Sequence, residues 1–108
     1  MTPRLVGSDL DGTIVRSDGT ISERTVAALA AVEAAGATFV MVTGRPTRWM
    51  RVVAEQTGHH GIAICANGAI VYDLHAEKVL HSFLLSAAVG RDVAAALRDA
   101  LPGIAFAV

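Results

Sequence analysis

A chain of 108 residues, 53% of them hydrophobic, is about one domain long and carries enough apolar content for a single modest core. Its formal net charge of −1, with no basic block, argues against nucleic acid or an anionic membrane surface as partner. No apolar run reaches the ~18 residues of a membrane helix, and Cys65, the only cysteine, permits neither an internal disulfide nor a cysteine-based zinc cluster.

In chain order, apolar runs alternate with helical patterns, the organisation of a β-α-β chain with a parallel sheet. Residues 4–9 read as the first strand. Residues 10–21, rich in Gly, Asp, Ser and Thr, read as a loop with a tight turn near Asp18 and Gly19. A helix follows: Ser22 is its N-cap, Glu23 complements its dipole, Val26, Leu29 and Val32 recur at helical spacing, and Gly36 stops it. Residues 37–42 (A-T-F-V-M-V) form a nearly continuous apolar strand, the pattern of a strand covered on both faces. Pro46 fits the first position of a second helix running to Thr57 and closed by Gly58. Trp49, Val52 and Val53 fit its buried side, and Arg48 and Arg51 its solvated side.

His59 and His60 then read as exposed loop residues. Residues 62–66 make a third strand in which Cys65 is a small buried residue. Asn67-Gly68 is a hairpin signal, returning through residues 69–72. Residues 78–84 suggest a further strand, with His75, Glu77 and Lys78 on a hairpin surface. Residues 88–101 are helical by spacing, with Val89, Val93 and Leu97 four apart, and Pro102-Gly103 breaks the helix. An apolar stretch, I-A-F-A-V, follows as a further strand. A domain seldom ends on such a strand, so the sequence looks cut. The amino terminus lacks the apolar core of a secretory signal, which makes cytoplasmic the expectation.

The chemistry concentrates in V-G-S-D-L-D-G-T, residues 6–13. Residues i and i+2 of an extended segment project to one side, so Asp9 and Asp11 face one site if the strand geometry persists. Two carboxylates that close repel unless a cation intervenes, and an oxygen-seeking divalent ion such as Mg²⁺ is the natural partner. Thr43-Gly44 follows the second strand and precedes a helix, a ready anion site with a hydroxyl added. In a doubly wound sheet the carboxyl ends of neighbouring strands line one crevice. A carboxylate pair with metal beside a phosphate cradle suggests phosphoryl transfer.

D-L-D-G-T at the end of the first strand and F-V-M-V-T-G-R about 30 residues on resemble the motifs of the haloacid dehalogenase superfamily of phosphohydrolases. D-G-T-I-V-R-S-D-G-T-I-S and C-A-N-G-A-I-V-Y-D resemble more narrowly its Cof-type branch, which inserts a large α/β cap after the third strand. The resemblance implies a three-layer, Rossmann-like core with a parallel sheet, present here in part (residues 1–84), and the start of a cap (residues 85–108). It implies that Asp9 is the nucleophile, forming an aspartyl-phosphate and ligating Mg²⁺. Asp11 is then the general acid/base, its carbonyl a further ligand. Thr43 and the Gly44 amide bind phosphate, aided by the amides of Leu10 and Asp11. Arg45 is expected as an ion-pair partner near the crevice, with contact to substrate as its alternative role, and Asn67 as a residue near the crevice and substrate.

The chain also departs from the family pattern. The family's third motif is a lysine and its fourth an acidic segment completing the metal site, both after the cap. The only lysine here is Lys78, on the hairpin, and no such acidic segment follows. The expectation is the amino-terminal part of a longer enzyme: a Mg²⁺-dependent phosphatase of a small phosphorylated metabolite when complete, poorly active alone. Its first strand would expose an edge open to self-association. A phosphomutase of the same chemistry, or a non-catalytic binding module that keeps a half-fold, are the competing readings.

Overall fold

The structure, a computed structural model, describes residues 3–107. Five strands pair in sequence order: β1 (Leu5–Asp9), β2 (Thr38–Val42), β3 (Ile62–Cys65), β4 (Ile70–Asp73) and β5 (Lys78–Ser82). The β1–β2 and β2–β3 pairs are parallel, while β4 and β5 extend the sheet as antiparallel neighbours. Helix α1 (Glu23–Ala34) connects β1 to β2, and α2 (Met50–Thr57) connects β2 to β3; α3 (Ala87–Ala100) follows the sheet. This is a Rossmann-like α/β unit with a mixed sheet.

The ends of α1 form as the residues dictate. The Ser22 hydroxyl accepts a hydrogen bond from the Thr25 amide at 3.1 Å, satisfying one of the otherwise orphaned first-turn donors. Gly36, at φ 81°, takes the left-handed conformation that ends the helix. Leu29 and Val32 then lean on the core.

Strand register shows which face of the sheet is covered. Val6 lies opposite Phe39, Met41 opposite Ala63, Ala63 opposite Tyr72 and Cys65 opposite Ile70. All of these belong to one cluster with Leu10, Met50, Val53 and Ala54, so α1 and α2 pack on the same face. The Cys65 thiol is fully buried there, and desolvation pushes its pKa up. The opposite face carries Leu5, Val40, Val42, Ile62, Ile64 and Val71, none of them buried. The continuous apolar run of β2 therefore meets helices on one face only among the described residues. A second helical layer is not among them.

Three expectations need correction. Residues 47–49 form a 3₁₀ turn, with Pro46 as its N-cap, and the α-helix begins only at Met50. That tighter turn resets the helical phase. The buried stripe becomes Met50, Val53, Ala54 and Thr57, while Trp49 and Val52 are more than half exposed and Arg48 sits 5.5 Å from the Trp49 ring centroid. His59 is not an exposed loop residue: its ring is 2% exposed, packs edge-on to Phe39 at 4.9 Å, and places Nδ1 2.6 Å from Glu33 Oε1. The left-handed Gly58 turns the chain back, so that a loop residue fills the gap between α1 and β2. Finally, residues 104–107 form no strand; Val108, like Met1 and Thr2, lies outside the described residues.

None of the residues of α3 is buried, and Phe106 returns toward it, with Arg98 5.2 Å from its ring centroid. No helix among the described residues is long and apolar enough to cross a membrane.

Candidate active site

Parallel strands β1, β2 and β3 share a direction, so the segments leaving their carboxyl ends meet at one end of the sheet. Asp9 is the last residue of β1 and pairs in register with Val42, the last of β2. Leu10 turns inward and is fully buried, and Asp9 and Asp11 flank it as exposed carboxylates. Behind them the Leu10 carbonyl accepts from the amides of Thr13, Ile14 and Val15 at 3.1, 3.0 and 2.8 Å. The loop is thus wound around one backbone oxygen, and Gly12 supplies the left-handed turn (φ 81°) that the winding requires.

The two carboxylates are in different environments. One oxygen of Asp9, Oδ1, accepts from the Leu10 amide at 2.7 Å. Asp11 is held by Arg45, whose Nε donates to Oδ2 at 2.8 Å and whose Nη2 donates to Oδ1 at 2.5 Å. These hydrogen bonds, with the charge behind them, hold the Asp11 carboxyl below its usual range, and Asp11 in turn raises the Arg45 guanidinium. The pair crosses from the β1 loop to the β2 loop, joining the two halves of the crevice. Arg45 follows Thr43-Gly44 directly, and only the fold shows that its partner is Asp11.

Thr43 is buried. Its amide donates to the Ile64 carbonyl at 2.9 Å, continuing the β2–β3 ladder, and its hydroxyl accepts from the Arg45 amide at 3.1 Å. The hydroxyl donates to no acceptor among the described residues, so its proton is unused. The following turn is the part that sequence reasoning missed. Ala66, Asn67 and Gly68 all have positive φ (52°, 54° and 95°), where the Asn-Gly signal called for two such residues. Asparagine and glycine tolerate this conformation; alanine does so at a cost, and nothing in its own side chain announces it.

The site's capacity for a divalent cation can be tested on its oxygens. Arg45 covers both carboxylate oxygens of Asp11, and Leu10 covers one of Asp9. Asp9 Oδ2 and the Asp11 carbonyl accept no hydrogen bond among the described residues. Two free hard oxygens two residues apart suit Mg²⁺ as part of a ligand set. They do not complete one: among the described residues no three His, Cys, Asp or Glu side chains gather as a metal cluster. Of the expected phosphate donors, the Leu10 amide is engaged by Asp9, whereas the Asp11 amide makes no hydrogen bond among the described residues. Lys78 cannot join them. It pairs with Asp73, which pairs with Ile62 at the amino end of β3, the far end of the sheet.

Known proteins share both the sequence and the fold. The family model for haloacid dehalogenase-like hydrolase matches residues 6–106. The pyridoxal phosphate phosphatase YbhA of Escherichia coli is 35% identical over 82 residues, covering 76% of this chain and 30% of the relative. An HMP-PP phosphatase of Yersinia pestis is 36% identical over 70 residues, 65% of this chain and 26% of the relative. Among solved structures, a haloacid dehalogenase-like hydrolase from Bacillus subtilis superposes with a TM-score of 0.78 at 27% identity, over 90% of this chain and 34% of that one. The chain thus spans about a third of the length of the relatives it matches. A match along nearly all of these residues, on a fold that brings the shared motifs to one sheet end, means that the chain belongs to the haloacid dehalogenase-like hydrolases.

Proposed function

We propose that this chain supplies the nucleophile, the acid/base and the phosphate cradle of a Mg²⁺-dependent phosphatase acting on a small phosphorylated metabolite. The observation that carries the reading is the register: Asp9 and Val42 are paired at the ends of adjacent parallel strands, so the aspartates and Thr43 open onto one crevice. Asp9 attacks phosphorus through its carboxylate and forms an aspartyl-phosphate as the alcohol leaves. Thr43, with the Gly44 and Asp11 amides, receives the phosphoryl oxygens. When bound, Mg²⁺ offsets the charge gathered between the Asp9 carboxylate and the phosphate. Asp11 takes up a proton from solvent as the arriving phosphate draws Arg45 away, and gives it to the leaving alcohol. It then takes a proton from the water that attacks phosphorus, breaking the Asp9–phosphorus bond to release phosphate and free Asp9.

Arg45 fits this scheme as a competing partner. It holds Asp11 as a carboxylate, and an incoming phosphate draws on the same guanidinium, loosening Asp11 for proton transfer. The substrates named for YbhA and the HMP-PP phosphatase are phosphorylated small molecules, which supports the substrate class.

Lys78 lies at the far end of the sheet, and among the described residues no third His, Cys, Asp or Glu joins Asp9 and Asp11 to complete a metal site. We therefore expect the 108-residue chain by itself to hydrolyse p-nitrophenyl phosphate very slowly. Rapid Mg²⁺-dependent turnover by the purified chain, lost in Asp9→Asn, would contradict the incomplete-site reading while supporting the chemistry. The residues from 85 onward are read as the start of a cap that selects the leaving group.

The outer edge of β1 has no strand partner among the described residues, and Leu5 beside it is 64% exposed. We infer that two copies pair through this edge. Sedimentation should show the average mass rising with concentration, and Leu5→Lys should lower it. A wild-type monomer at every soluble concentration would remove this inference.

A further inference from the structure

The loop that follows β2 and the turn that follows β3 are far apart in sequence and locked together in the structure. The Ala66 amide donates to the Arg45 carbonyl at 3.0 Å, and the Asn67 amide donates to the Thr43 carbonyl at 3.2 Å. The three consecutive left-handed residues of the turn direct these donors at the carbonyls on either side of Gly44. The Asn67 side chain continues the contact. A Cβ built on Gly44 would lie 3.0 Å from Asn67 Oδ1 and 3.6 Å from its Cγ and Nδ2.

Those distances explain the glycine in a way its backbone does not. Gly44 has no left-handed φ, so conformational freedom is not what excludes a side chain. Space is: non-bonded heavy atoms pack favourably at roughly 3.5–4.0 Å, and a methyl here would press into the amide. The Asn67 side-chain amide makes no hydrogen bond among the described residues, so its contact with Gly44 is one of packing. Its own backbone (φ 54°, ψ 35°) is one that asparagine accepts far more readily than most residues.

We propose that Asn67 is the positioning residue of the phosphate cradle: its side-chain amide lies over Gly44 and, with the two backbone hydrogen bonds of its turn, fixes the Thr43–Arg45 loop for anion binding. The glycine after Thr43 and the asparagine of the turn then form one device, each required because of the other. This rests on the reading of Thr43 and Gly44 as phosphate ligands, and the experiment keeps the two apart.

The test is a double-mutant cycle on the whole chain with Gly44→Ala, Asn67→Gly and the pair, reading both orthovanadate affinity in the presence of MgCl₂ and melting temperature. Asn67→Gly keeps a residue that tolerates the left-handed turn and removes only the amide. Alone, it should weaken vanadate binding about threefold to tenfold while leaving the melting temperature nearly unchanged. Gly44→Ala should weaken binding at least about tenfold with Asn67 present and much less in the Asn67→Gly background. Equal effects of Gly44→Ala in both backgrounds, on affinity and on melting, would overturn the proposal, as would wild-type affinity in Asn67→Gly. If wild type binds no vanadate, the described residues do not suffice as a phosphate cradle. The steric coupling is then still judged by melting: Gly44→Ala should destabilise wild type and not Asn67→Gly, and additivity there also overturns it.

Discussion

Replacing Asp9 by Asn is expected to abolish phosphoryl transfer, with turnover falling by about 10⁴-fold or more wherever the complete site is assembled. The amide is nearly the same shape as the carboxylate, so the β1 ladder and the buried Leu10 should be undisturbed. The change removes the negative charge proposed to attack phosphorus and one of the two free oxygens proposed for Mg²⁺. The Oδ1 contact to the Leu10 amide can survive, because an amide oxygen accepts the same hydrogen bond. Stability should therefore stay within about 0.5 kcal/mol of wild type while the chemistry disappears. The measurement is phosphate release and acid-quenched trapping of phosphoprotein with wild type and Asp9→Asn, alongside urea unfolding of both proteins. Phosphoprotein formed at wild-type level by Asp9→Asn would exclude Asp9 as the nucleophile. Loss of activity together with a collapse in stability would move Asp9 from chemistry to structure.

Much of the architecture was legible because it rests on strong local signals. The apolar runs at β1, β2 and β3, the Ser22 cap and the glycine stop of α1 each correspond to a physical constraint that one residue type satisfies best. The carboxylates and Thr43-Gly44 were equally visible, since strand ends and turn residues mark where a crevice can open. What escaped depends on contacts across the chain. The phase of α2 could not be read, because a 3₁₀ turn and an α-turn have the same residue preferences in T-R-W and differ only in packing. His59 looked like loop because it follows a helix stop, and its burial depends on a gap formed by α1 and β2 together. The Asp11–Arg45 pair joins residues 34 apart and has no local sign at all. The unpaired apolar face of the sheet, with Val40, Val42, Ile62 and Ile64, is the same phenomenon in reverse. The sequence pattern asks for a cover on both faces, and the described residues supply one.

The largest effect on stability is expected from Leu10→Ala, and it should reach the site as well. Leu10 is fully buried within the cluster built from β2, α2 and β3, so deleting most of its side chain costs the transfer energy and leaves a cavity, about 2–5 kcal/mol together. Against the 5–15 kcal/mol that a domain of ordinary stability commands, such a loss is a large fraction. It corresponds to a fall of at least roughly 8 °C in melting temperature, at about 4–8 °C per kcal/mol. The same residue is the hub of the loop, because its carbonyl takes the amides of Thr13, Ile14 and Val15 while Asp9 and Asp11 flank it. With the side chain no longer seated, that knot loses its anchor to the core, and the two carboxylates lose their fixed separation. Leu10→Met, which conserves volume, should cost less than about 1.5 kcal/mol and keep vanadate affinity near wild type. Urea unfolding and vanadate titration of both variants give the comparison. If Leu10→Ala melts within a few degrees of wild type and binds vanadate equally well, the core does not position the aspartates, and the geometry of the site must be held by Arg45 alone.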